Sequence, residues 1–218
     1  MTQQILLLAF SGIITVDRAA GFNTMVSRPL VVSVIIGMIF GTVELCFLGG
    51  LIFEIIGLVD VPVGTRISRD DSFGAYAFSL VLSYHAVTGM SSFILALMLV
   101  IVFTYPVTMS LHICRKLNKR LYLRELGMGD KFNASKLVRL GLLFHFGQGV
   151  MVYNLAFVVI YTLYQWFASY LPGNDNFIPY VIFTIIFLSG FLLRFLSGNS
   201  YVKYLLFLGG ILVGWAVL

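Results

Sequence analysis

Residues 29–58 read PLVVSVIIGMIFGTVELCFLGGLIFEIIGL, and how this run divides decides the fold. As one helix it would extend about 45 Å at 1.5 Å per residue, well beyond a hydrocarbon core of about 30 Å. The segment FGTVEL interrupts it. Thr42 can cap a helix whose first turn contains Glu44, where an anion meets the positive end of the helix dipole. Pro29 suits the first turn of the preceding helix. The run therefore predicts two short helices, roughly 30–41 and 43–58.

Outward from this pair the same reading continues. Residues 5–16 are apolar but only about 18 Å long as a helix. They lack the basic region and small-residue cleavage site of a secretory signal, and are expected to be a retained first membrane segment. DRAAGFNTMVSRP and DVPVGTRISRDDS are the polar breaks on either side of 30–58. Apolar segments follow at about 73–87, 90–113, 137–170, 177–196 and 201–218, separated at VTGMSS, by a basic stretch, at LPGNDN and at SGNS. The ten-residue alternation of a membrane β-barrel is absent, so helix is the expectation throughout. Tyr161, Tyr164, Trp166 and Tyr170 crowd one span end, as an interfacial aromatic belt does. Gly37–Gly41 and Gly210–Gly214 have the spacing that lets helix backbones approach closely.

Composition agrees. Of 218 residues, 60% are hydrophobic and 11% charged, with a mean hydropathy of +0.99. A soluble domain of this length has too little interior for so much apolar surface. The chain is expected to be a single-domain (1–218), all-α polytopic membrane protein. The net charge of +5 does not point to nucleic acid, because eight of the fourteen Lys and Arg fall between 115 and 139. A loop that basic is expected on the cytoplasmic side, where it could touch anionic headgroups or dock a cytoplasmic partner. Cys46 and Cys114 form no disulfide framework, and neither zinc spacings, Walker or Rossmann glycines nor a nucleophile–base constellation occurs. No cofactor, metal or catalytic residue is expected. Short, glycine-interrupted apolar segments around 30–58 and 73–113 are the pattern of transporters whose broken helices meet at a substrate site.

Two stretches carry a family resemblance. RPLVVSVIIGMIFG and GGLIFEIIGLVDVPVGTRISRDDSFGAYA resemble the IIC subunit of the mannose/fructose/sorbose phosphotransferase system, over roughly 16–76. The matching positions are Arg28, Pro29 and Leu30, then Gly37 and Gly41, Gly49 and Gly50, and Glu54, Leu58, Asp60, Gly64 and Asp70. The resemblance implies an elevator-type sugar permease subunit with short, broken or re-entrant helices, in a bacterial cytoplasmic membrane. It also implies a IID membrane partner, cytoplasmic IIA/IIB phosphocarriers that phosphorylate a hexose-like sugar, and a trimer of such units. A non-transporting membrane anchor or sensor derived from the same family is the alternative, motivated by TRISR, which replaces the family's small apolar residues.

On this basis Glu54, Asp60, Asp70 and Arg66 are the candidate substrate-binding residues. Glu54 could accept two sugar hydroxyls, or pair with Arg28 or Arg66 to hold helices together. Asp60 falls where the family has a polar residue. Asp70 and Asp71 precede a helix and could cap it or contact substrate. Arg66 and Arg69 could balance these acids or favour an anionic ligand. His85 and His145 could satisfy neighbouring carbonyls or relay protons, and Gln148 could join His145 in a polar patch.

Overall fold

A computed structural model describes residues 2–19, 21, 24–59, 68–85, 89–127, 133–171, 178–192 and 200–217. Among these every regular element is helical. In chain order they are α1 (Thr2–Ala19), α2 (Pro29–Phe40), α3 (Val43–Val59), α4 (Asp71–Tyr84), α5 (Met90–Leu126), α6 (Ala134–Gln148), a π-turn (Gly149–Tyr153), α7 (Asn154–Ala168), α8 (Ile178–Leu192) and α9 (Ser200–Val217). The chain forms two compact units, 1–176 and 177–218. The second contains α8 and α9, with Phe183 stacked on Phe187 one turn on, ring centroids 6.2 Å apart.

The division of 29–58 falls where Pro29 and Gly41 place it. Pro29 occupies the first turn of α2, where its missing N–H has no helical partner to lose. Gly41 ends α2 at φ 76°, a left-handed conformation that costs glycine nothing. Gly41 is thus a helix stop and not a packing residue. Gly37 is the packing residue: a Cβ there would lie 2.8 Å from the Val43 backbone. With Gly50 against Ser33 and Leu30, it draws α2 and α3 into a close hairpin.

Against that hairpin lies α4, buried from Asp71 to Leu82 on every face. Its contacts are glycine–aromatic: the Phe78 ring fills the space beside Gly49, and the Phe53 ring the space beside Gly74. Phe78 also meets Phe93 of α5 edge-on at 5.1 Å. Two buried polar side chains of α4 are partnered across the bundle: Ser79 donates to Ser33 (2.9 Å) and Tyr76 to Asn154 (2.9 Å).

Among the described residues, α5 and the run α6–π-turn–α7 (134–168) are the two helical stretches long and apolar enough to cross a membrane. Their outward faces are apolar. On α5 the exposed stripe is Met98, Val102, Tyr105, Met109 and Ile113, whereas Thr104 points inward and is buried. The basic stretch expected as a loop is instead helical over its described length: 115–126 continue α5 and 134–139 open α6. Lys, Arg, Leu and Glu are strong helix formers, and no glycine interrupts them before Gly127. Asn133 then caps α6 by accepting from the Lys136 N–H (3.0 Å).

The π-turn widens the helix between α6 and α7. Gly149 sits there against α1, where a Cβ would overlap the Ser11 carbonyl and the Thr15 hydroxyl. Close approach lets Thr15 donate to the His145 carbonyl (2.7 Å) and Asn154 donate to Ser11 (2.9 Å).

Candidate functional site

The site grows from the N-terminus of α4. Asp70 caps that helix by accepting from the Phe73 N–H (3.0 Å), satisfying one of the donors a helix start leaves open. The same carboxylate is fully buried and paired with Arg18, from the last turn of α1. Its other oxygen accepts from the Tyr153 hydroxyl (2.8 Å), which the π-turn presents. The Asp70 N–H donates to Thr108 of α5 (3.0 Å). Arg18 also reaches Ser72 (3.2 Å), Ser68 (3.4 Å) and the Arg69 carbonyl. A buried ion pair withstands desolvation only when further hydrogen bonds surround it, and these supply them.

One residue before Arg18, Asp17 organises the chain entering α2. Its carboxylate accepts from the Thr24 N–H and hydroxyl (both 2.6 Å) and from the Ser27 N–H (2.9 Å). This fixes a turn in which Met25 takes φ 62°, a conformation few side-chain-bearing residues adopt. The Ser27 carbonyl then accepts from Ser72 (2.5 Å). Arg28 follows at the start of α2 and meets Glu54 of α3 at 3.1 Å. The second Glu54 oxygen takes the Leu30 N–H (3.3 Å), another open donor of a first turn.

Between these groups lies a pocket of about 350 Å³, lined among others by Arg18, Ser27, Arg28, Glu54, Gly57, Asp71 and Ser72. That volume falls in the range of small-molecule sites. Gly57 keeps it open: a Cβ there would come 2.9 Å from the Asp71 carboxylate. The lining offers two carboxylates, two guanidiniums and two hydroxyls, a set that both donates to and accepts from a ligand rich in hydroxyls. Among the described residues no three His, Cys, Asp or Glu gather to hold a metal ion.

Of the residues expected from the sequence, Glu54 lines this pocket and its pairing partner is Arg28. Asp70 stands behind the lining, committed to Arg18 and Tyr153, and it is Asp71 that faces the pocket. Asp60 and Arg66 lie outside the described residues. His85 is at the far end of α4, stacked on Tyr161 with centroids 5.6 Å apart. His145 is buried near Asn118 (3.4 Å), and Gln148 donates to Ser110 (2.7 Å), so both belong to the seam between α5 and α6. Sequence reasoning missed Arg18, Asp17, Ser72 and Tyr153. The signal for the first two was present: an acid and a base ending an apolar helix need partners.

No protein-family model matches the chain, and no curated protein matches it.

Proposed function

We propose that the chain is a polytopic membrane subunit that binds a hexose-like sugar in the Arg18–Arg28–Glu54–Asp71 pocket and carries it across a bacterial cytoplasmic membrane. The observation that carries this reading is the pocket itself. Paired carboxylates, guanidiniums and hydroxyls sit at the ends of three short helices, α2, α3 and α4, the arrangement broken-helix transporters use. The apolar outward stripe of α5, opposed to its buried Thr104, supports lipid as the surrounding solvent. Such a subunit works with a IID membrane partner and IIA/IIB phosphocarriers, as a trimer and by an elevator motion, in keeping with the phosphotransferase resemblance. Sugar hydroxyls would take the places of water on Glu54, Asp71 and the two arginines, so binding would cost few hydrogen bonds. Asp60 and Arg66, in the segment between α3 and α4, are candidates to complete the site.

The test is uptake of labelled sugar into vesicles holding the chain, IID and the phosphocarriers. Glu54→Gln is expected to abolish uptake while membrane assembly persists, since a partly exposed ion pair contributes at most about 1 kcal/mol. Normal uptake by a well-expressed variant would remove Glu54 from the site.

A second reading, the non-transporting anchor or sensor, draws on the internal pairing of Arg28 with Glu54 and of Arg18 with Asp70. It predicts that no sugar-dependent phosphate transfer occurs with all partners present.

A further inference from the structure

The helices around the pocket share a polarity that assigns it to one side of the membrane. The pocket lies at the start of α2, the end of α3 and the start of α4. From there α4 runs away, and beyond its last turn His85 meets Tyr161 and Tyr164 near the end of α7. Those tyrosines belong to the aromatic-rich span end. The pocket is therefore at the opposite end from the aromatic cluster.

Its depth can be read on α5. The Asp70 N–H is bonded to Thr108, which lies seven residues, about 10 Å of helix rise, before Arg115. Met90, where α5 begins, is eighteen residues and about 27 Å the other way. Beyond Arg115 the helix is basic: Lys116, Lys119, Arg120 and Arg124 are all exposed. Its described acid, Glu125, is buried and bonded to Lys136 at 2.6 Å. Clustered cations next to a span are retained in the cytoplasm. The pocket rim is accessible, with Leu58 52% exposed and the Arg28 side chain 52% exposed.

We infer that the pocket, in the conformation described, opens to the cytoplasmic face, the same face as the basic end of α5. The inference rests on the membrane reading above. It places the bound ligand where a cytoplasmic group-transfer reaction can consume it, and makes the described state the one that delivers and not the one that captures. Reaching the other face requires the pocket-bearing helices to move past α5, which breaks the Asp70–Thr108 bond.

Cysteine accessibility tests this in the full chain carrying Cys114→Ser, since Cys46 is buried. Leu58→Cys and Arg28→Cys report the pocket rim, Lys116→Cys the basic end, and Tyr170→Cys the aromatic end. Each is treated with a membrane-impermeant charged maleimide in inside-out and right-side-out vesicles. The expected result is that both rim cysteines label together with Lys116→Cys in inside-out vesicles, and are protected in right-side-out vesicles, where Tyr170→Cys labels. Rim labelling from the Tyr170 side, from both sides equally, or from neither would overturn the inference. If Lys116→Cys and Tyr170→Cys label from one side, the membrane-spanning reading itself fails. Two rim positions on different elements keep the result readable if one variant does not fold.

Discussion

Replacing Asp70 with alanine removes the carboxylate on which α1, α4 and the π-turn converge, and its cost can be worked from the contacts. Arg18 would remain largely buried, its side chain 19% exposed, with Ser72, Ser68 and a carbonyl as its remaining partners. Breaking a buried pair costs about 3–5 kcal/mol, and those partners put Arg18 at the low end, about 3 kcal/mol. Loss of the cap on Phe73 adds about 1 kcal/mol, and the stranded Tyr153 hydroxyl about 1 kcal/mol. Asp70→Ala is thus expected to destabilise by about 5 kcal/mol. Asp70→Asn keeps the shape and the cap, so it isolates the charge at about 3 kcal/mol. The double variant Arg18→Met/Asp70→Asn removes both charges of the pair and should cost less than Asp70→Asn alone, because an apolar substitute for an ion pair is often neutral. Unfolding of the purified chain in neutral detergent with a rising fraction of dodecyl sulfate, followed by circular dichroism, gives all three values. An Asp70→Ala cost below about 1 kcal/mol, or a double variant more damaged than Asp70→Asn alone, would refute the reasoning.

Three further outcomes follow from single contacts. Tyr153→Phe deletes only the hydroxyl at Asp70 and should cost about 1 kcal/mol in the same unfolding assay. Gly149→Ala forces α1 away from the π-turn and is expected to cost about 1–3 kcal/mol as overpacking, with a neutral result excluding the close approach. Gly57→Ala places a methyl beside the Asp71 carboxylate inside the pocket. It should depress sugar uptake far more than it lowers the melting temperature, and unchanged uptake would argue that the ligand sits elsewhere.

How much of this was legible can be argued residue by residue. The α2–α3 division was, because Pro29 and Gly41 act through backbone geometry that any surroundings would respect. Glu54 was also readable, as an acid in an apolar helix that needed a partner. Asp70 and Asp71 were visible as a pair, but not which would face the pocket, since their separation by about 100° around the helix axis has meaning only once Arg18 is placed. Arg18 itself lies fifty-two residues from Asp70, and no local pattern links them. The basic end of α5 was misread because charge suggested a loop, while its helix-forming residues pointed the other way. Nothing local to GVMVY marks a π-turn, which α1 packing and the Asp70 bond select.

That π-turn has a consequence for how the chain can vary. A π-turn accommodates one residue more than an α-helix needs for the same rise, so the two halves it joins keep the azimuths of a regular helix one residue shorter. His145 and Gln148 set the phase of the first half against α5, while Tyr153 and Asn154 set that of the second against Asp70 and Tyr76. Delete one residue among 149–153 and the helix could close its regular ladder with both halves keeping their azimuths, whereas one further inserted residue would turn one half by about 100° relative to the other. Either the α5 seam or the α4 contacts would lose register. The segment is therefore already longer by one residue than a regular helix needs, and a single-residue insertion there should be tolerated less than a single-residue deletion.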